Sequence, residues 1–136
     1  MRVLFLCTGN SARSQMAEGL LRHLSEGRIE SLSAGTHPRP EVHPLAVTTM
    51  RDRYGIDISA QFPKRLDAYL GERIDHVITV CDHAAESCPV FPGHTERIHW
   101  SFPDPAAVEG TPDQQRQAFE QVAADIAGHL RTWLTR

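Results

Sequence analysis

The apolar positions of this chain change period repeatedly. Val3-Leu4-Phe5-Leu6 is an unbroken apolar run; a polar, glycine-containing stretch follows, and then Met16, Ala17, Leu20, Leu21 and Leu24 recur at intervals of three and four. A short apolar run followed by that spacing predicts a buried strand, a tight loop and an amphipathic helix. Ser25-Glu26-Gly27-Arg28 stops the helix, and residues 29–33 read as a second strand closed by Ala34-Gly35. Residues 36–44, with three prolines and two histidines, read as an irregular loop. A second helix is expected over residues 43–54, with Val47, Met50 and Tyr54 facing inward and Gly55 as its stop. Residues 56–61 read as an extended connection and 64–70 as a short helix.

Further along, residues 75–80 read as a third, buried strand that delivers Cys81 to its carboxyl end. Residues 82–87 are polar and alanine-rich, predict a helix, and run into Cys88-Pro89. A fourth strand is expected over 96–100, followed by a loop containing Asp104-Pro105. Thr111, Pro112 and Gln114 form a helix-start signature. Phe119, Val122, Ile126, Leu130 and Trp133 then make one apolar stripe, which reads as core. Strands alternating with helices imply an α/β sandwich around a parallel sheet, with ligands bound at the carboxyl ends of its strands. Cys7, Cys81 and Asp104 each fall just past a predicted strand, so they are expected to converge on one edge.

The stretch Cys7-Thr8-Gly9-Asn10-Ser11-Ala12-Arg13-Ser14 holds the strongest chemical signal. The backbone N–H groups of residues 8–13 can turn inward as an anion nest, with the positive end of the following helix aimed at the same point. Arg13 offers a planar fork of donors suited to a tetrahedral oxyanion. Gly9 and Asn10 tolerate the backbone angles that such a loop needs. The helix terminus and Arg13 both favour a Cys7 thiolate, which predicts a readily lost proton and a nucleophile, and Ser14 is placed to donate to the sulfur. The competing reading is an ordinary strand–helix turn with a buried cysteine.

Size and charge narrow the partners. A chain of 136 residues, 40% apolar and 23% charged, is expected to form one domain spanning 1–136. A net charge of −3 without a basic run argues against nucleic acid. The sequence contains neither a membrane-span pattern nor a signal-peptide pattern, and the first strand and nucleophile occupy the N-terminus, so a cytoplasmic location is expected. The lack of a large exposed apolar stripe points to a monomer.

Three cysteines, Cys7, Cys81 and Cys88, disfavour a static disulfide framework. On one continuous helix Cys81 and Cys88 would share a face, roughly 10 Å apart along the axis. A disulfide needs α-carbons closer than about 7 Å, so pairing them requires the polar segment between to unwind. That suggests a redox-switchable helix; two unrelated cysteines, or a metal site with His83, are the alternatives.

The early Cys-x5-Arg-Ser after a short strand resembles the low-molecular-weight protein tyrosine phosphatases, and Ser14-Gln15-Met16-Ala17-Glu18-Gly19 resembles their arsenate-reductase branch. Val80-Cys81-Asp82-x5-Cys88-Pro89 and His99-Trp100-x-Phe102-x-Asp104-Pro105-Ala106 extend the similarity to thioredoxin-coupled arsenate reductases over nearly the whole chain. This resemblance implies a three-layer α/β sandwich with a four-stranded parallel sheet in flavodoxin-like order. It also implies a relay in which Cys7 attacks arsenate, Asp104 acts as general acid, and Cys81 and then Cys88 carry the disulfide outward. Thioredoxin would reduce that bond, NADPH being consumed upstream by thioredoxin reductase, with no bound cofactor. Ala12 stands where many members have an additional cysteine. Asn10, Glu18 and Ser33 match a potassium site of some members, but Lys64 falls where an acidic ligand is expected and reads as a substitute cation pairing with Glu18.

Two other functions compete. A low-molecular-weight phosphatase would use Cys7, Arg13, Ser14 and Asp104 without needing Cys81 and Cys88, and usually carries aromatic residues where Ala106-Ala107 stand here. A thiol sensor or arsenite binder would use the three cysteines but leave Arg13 and the loop without purpose.

Overall fold

The computed structural model describes residues 1–86 and 88–136. Strand β1 (Arg2–Cys7) lies inside the sheet, which is why Val3, Leu4, Phe5 and Leu6 are all apolar and fully buried. It pairs in parallel with β2 (Glu30–Gly35) on one side and β3 (His76–Thr79) on the other, and β3 pairs in parallel with β4 (Glu96–His99). The order β2-β1-β3-β4 is the flavodoxin-like arrangement expected from the sequence. From β1 the chain winds outward to β2, then crosses back past β1 to reach β3. The winding direction therefore reverses at β1, and the crevice such a reversal opens at the carboxyl ends of the strands is where open parallel sheets bind ligands. Cys7, the last residue of β1, stands at that crevice.

Helix α1 (Arg13–Leu24) packs on β1 and β2, and it also packs against α2 (Pro44–Tyr54) and α4 (Pro112–Leu134). Thr111 Oγ1 accepts from the Gln114 N–H at 3.1 Å, and Gln114 Oε1 accepts from the Thr111 N–H at 2.9 Å, completing the capping box. Phe119, Val122, Ile126, Leu130 and Trp133 are buried, as the stripe predicted. No helix among the described residues is long and apolar enough to cross a membrane.

The structure departs from expectation in three places. Residues 64–70 form only a 3-10 turn over Leu66–Tyr69. The Lys64 backbone is used elsewhere: its N–H donates to Asn10 Oδ1 at 2.9 Å and its carbonyl accepts from the Gly35 N–H at 2.8 Å. In α2 the buried face is Ala46, Thr49 and Met50, while Val47 and Tyr54 are half-buried. His43 is the N-cap rather than a helical residue, its Nδ1 accepting from the Leu45 N–H. Finally, α3 (Asp82–Glu86) forms as expected, the last expected position, Ser87, lying outside the described residues, but the two cysteines do not belong to it. Cys81 and Cys88 flank this helix instead of sharing its face. Pro89 explains part of this, because the residue before a proline is pushed away from helical geometry.

Candidate active site

Residues 8–12 connect β1 to α1, and the loop is shaped by where its carbonyls go. The carbonyls of Cys7, Thr8, Gly9 and Ser11 accept from the N–H groups of Thr36, His37, Arg39 and His43, at 3.2, 2.9, 2.9 and 2.9 Å. The Asn10 carbonyl accepts from Gln15 Nε2 at 3.0 Å and that of Ala12 from the Met16 N–H at 2.9 Å. With every carbonyl from Cys7 to Ala12 drawn to a partner, the loop is free to turn amides toward its centre, the arrangement of an anion nest. Asn10 has a left-handed backbone, φ 47°, as the sequence anticipated, whereas Gly9 does not take a left-handed angle and matters instead for the room it leaves the Arg39 side chain. A Cβ on Gly35 would lie 2.6 Å from the Thr8 carbonyl, so only glycine lets β2 approach the loop this closely.

Cys7 is almost completely buried. Its Sγ lies 2.8 Å from Ser14 Oγ and accepts from the Asn10 N–H at 3.1 Å. Asn10 Nδ2 donates to Ser14 Oγ at 2.7 Å, which leaves the Ser14 hydroxyl proton for the sulfur. Burial is the largest influence on the thiol and pushes its pKa up from the ordinary value. Ser14, the Asn10 N–H and the charge of Arg13 act in the opposite direction. The expectation of a readily lost proton is thus modified: it counted the stabilising donors but not the cost of charging a buried sulfur.

Arg13 Nη1 donates to the Phe102 carbonyl at 3.0 Å, and Nη2 stands 4.0 Å from Asp104 Oδ2. Asp104 also caps the turn Pro105–Ala107, accepting from the Ala106 N–H at 3.0 Å. Cys7, the loop, Arg13 and Asp104 share one cavity of about 710 Å³. His37, Arg39 and His43 line it as well, three residues that the sequence reading left without a role. A signal for them exists in His37-Pro38-Arg39-Pro40. The N–H groups of His37 and Arg39 bond to the loop, while the alternate positions are prolines, which have none to offer; such alternation marks a segment paired along one side. The His43 ring packs on Phe119 with centroids 4.7 Å apart. Burial lowers its pKa, the Asp104 charge raises it and Arg39 lowers it further.

Cys81 is buried beside the same loop, with its Sγ 3.4 Å from Thr8 Oγ1. The parallel register explains this: Leu6 faces Thr79, so Cys7 and Cys81 emerge from adjacent strands. Cys88 is half-buried beyond α3, and burial raises its pKa while Arg97 opposes the shift. Among the residues of α3 only Ala84 is buried. The helix start is tied to β4 by His99, whose Nε2 lies 2.9 Å from Asp82 Oδ1 and whose Nδ1 lies 2.7 Å from Thr79 Oγ1. Hydrogen bonding to His99 and then to Ser101 lowers the Asp82 pKa. All three cysteines are free thiols.

Behind the loop, Glu18 is buried, and both of its carboxylate oxygens have partners. Ser33 Oγ donates to Oε1 at 2.6 Å, Lys64 Nζ stands 3.7 Å from Oε1, and Arg22 Nη2 lies 2.7 Å from Oε2. The Lys64 ammonium also donates to the Phe62 carbonyl at 2.7 Å. Burial lowers the Lys64 pKa and Glu18 pulls it back up. No group of three or more His, Cys, Asp or Glu side chains suited to a metal ion occurs among the described residues. The Glu18 carboxylate is thus matched by an ammonium and a guanidinium.

A buried thiol at the head of this loop, with Arg13 and Asp104 lining the same cavity, is the set of groups that a cysteine-dependent oxyanion enzyme requires. Residues 2–136 match the family described as low molecular weight phosphotyrosine protein phosphatase, and the chain belongs to that family. The arsenate reductase of Halalkalibacterium halodurans is 42% identical over 131 residues, covering 96% of this chain and 93% of that protein. Among solved structures, a thioredoxin-dependent arsenate reductase from Corynebacterium glutamicum superposes with a TM-score of 0.76 at 32% identity, over 98% of this chain and 60% of that one. The low molecular weight protein tyrosine phosphatase of T. tengcongensis superposes with a TM-score of 0.80 at 25% identity, over 99% of this chain and 98% of that one.

Proposed function

We propose that this protein reduces arsenate to arsenite through a relay of Cys7, Cys81 and Cys88, with thioredoxin as reductant. The observation that carries the reading is the placement of two thiols on adjacent strand ends, Cys81 touching Thr8 of the anion loop, with a third thiol just past a short helix. A phosphatase needs the first thiol only. The similarity to arsenate reductases over nearly the whole chain supports the same conclusion.

Arsenate seats on the amides of residues 8–13 under the Arg13 guanidinium. The Cys7 thiolate attacks arsenic while Asp104 protonates the departing oxygen, so an As–O bond breaks, an S–As bond forms and water leaves. The Cys81 thiolate then attacks Cys7 Sγ. The S–S bond forms as the S–As pair passes to arsenic, reducing As(V) to As(III) and releasing arsenite. Cys88 attacks Cys81, returning Cys7 as thiolate and moving the disulfide to Cys81–Cys88. A reduced dithiol partner resolves that bond by exchange. Asp82–Glu86 is polar and buries one side chain, so unwinding it to bring the two sulfurs together costs little core. Lys64 takes the place of a potassium ion next to Glu18. Residues 1–136 act as a single cytoplasmic unit.

The test is arsenate-dependent NADPH oxidation with thioredoxin and thioredoxin reductase, comparing the native protein with Cys88→Ser. Sustained turnover that falls to a single round in the variant is the expected result. Absence of native turnover together with brisk hydrolysis of an aryl phosphate would replace this reading with the phosphatase that the family match also accommodates.

A further inference from the structure

We propose that Arg39 is a second cation of the oxyanion site and sets its affinity for doubly charged tetrahedral anions. The proposal deepens the function above, since it concerns the same cavity. Arg13 is partly neutralised, standing 4.0 Å from Asp104 and bonded to the Phe102 carbonyl. Arg39 lines the same cavity, and among the described residues no carboxylate lies within ion-pair distance of it. Its charge is nonetheless felt inside the cavity, where it lowers the pKa of His43. Asp104, the carboxylate of the cavity, is instead the neighbour of Arg13, so an anion seated in the loop would supply the partner that Arg39 lacks.

Its position is built rather than incidental. The Arg39 stem lies across Gly9: a Cβ at Gly9 would meet Arg39 Cγ and Nε at 3.2 Å each, and Cδ at 3.4 Å. Gly9 thus gives the guanidinium stem a flat bed directly over the anion loop. The Arg39 N–H is held by the Gly9 carbonyl at 2.9 Å, and Pro38 and Pro40 restrict the backbone on either side. Little ordering remains to be done when an anion arrives, which is the condition under which an exposed charge contributes to affinity. The side chain is exposed, so its contribution is to be screened by salt.

The test is binding of inorganic phosphate by titration calorimetry to the native protein, Arg39→Gln, Arg39→Lys and the surface control Arg53→Gln, each in low and high salt. Arg39→Gln is expected to raise the Kd by about five- to tenfold at low salt, the scale of one ordered charge contact with a dianion, with a smaller ratio at high salt. Arg39→Lys should recover most of the affinity, and Arg53→Gln should match the native protein. A Kd for Arg39→Gln within about twofold of native, or an Arg39→Lys as weak as the glutamine variant, overturns the proposal. Phosphate binding is common to reductase and phosphatase, so loss of the reductase reading would show as absent arsenate turnover with this Arg39 dependence intact.

Discussion

Replacing Ser14 with alanine should move the ionisation of Cys7 upward. The Ser14 hydroxyl is completely buried, its oxygen accepts from Asn10 Nδ2 and its proton faces the sulfur 2.8 Å away. A buried hydrogen bond to a charged acceptor contributes about 1.5–3 kcal/mol, and one pKa unit corresponds to about 1.4 kcal/mol. Loss of the bond destabilises the thiolate more than the thiol, so the shift is positive and amounts to about one to two units on a thiol that burial has already raised. The assay is the pH dependence of alkylation by iodoacetamide in a Cys81→Ser, Cys88→Ser background, where Cys7 is the reacting thiol. Thermal melting of each variant establishes that it is folded. A midpoint for the Ser14→Ala variant equal to or below that of its parent would refute the argument, because the serine would then contribute nothing to the charged sulfur.

Two further outcomes follow from packing. Gly35→Ala places a methyl 2.6 Å from the Thr8 carbonyl; we expect a loss of about 1–3 kcal/mol in denaturant unfolding, with weaker phosphate binding as the loop is displaced, and an unchanged protein would mean that β2 does not brace the loop. Lys64→Ala leaves Glu18 with Arg22 and Ser33 alone; stability should fall by about 2 kcal/mol, less than for a fully orphaned buried carboxylate, and melting should become sensitive to KCl against NaCl at equal ionic strength. A potassium-specific gain in the native protein would show instead that Lys64 does not fill the cation's role.

Much of the site was legible because its chemistry is local. Cys7, the loop residues, Arg13 and Ser14 lie within one strand–loop–helix unit, so their mutual geometry follows from short-range backbone rules and from the period change between residues 6 and 16. The α4 stripe and its capping box were legible for the same reason: a helical period and a cap are each read within a few residues.

Other features depended on what the chain meets after folding. The 3-10 turn at Leu66–Tyr69 replaces a helix because Asn10 and Gly35, distant in sequence, take the Lys64 backbone groups. Cys7 owes its raised pKa to burial, a property of the whole core rather than of the loop. Arg39, His37 and His43 enter the cavity only because residues 36–43 supply the N–H groups that turn the loop's carbonyls outward. The sequence by itself singled out the candidate residues for the chemistry. Tertiary structure decided the burial that raises the Cys7 pKa and the company the site residues keep, because burial and long-range hydrogen bonds exist only once the sheet has brought its carboxyl edge together.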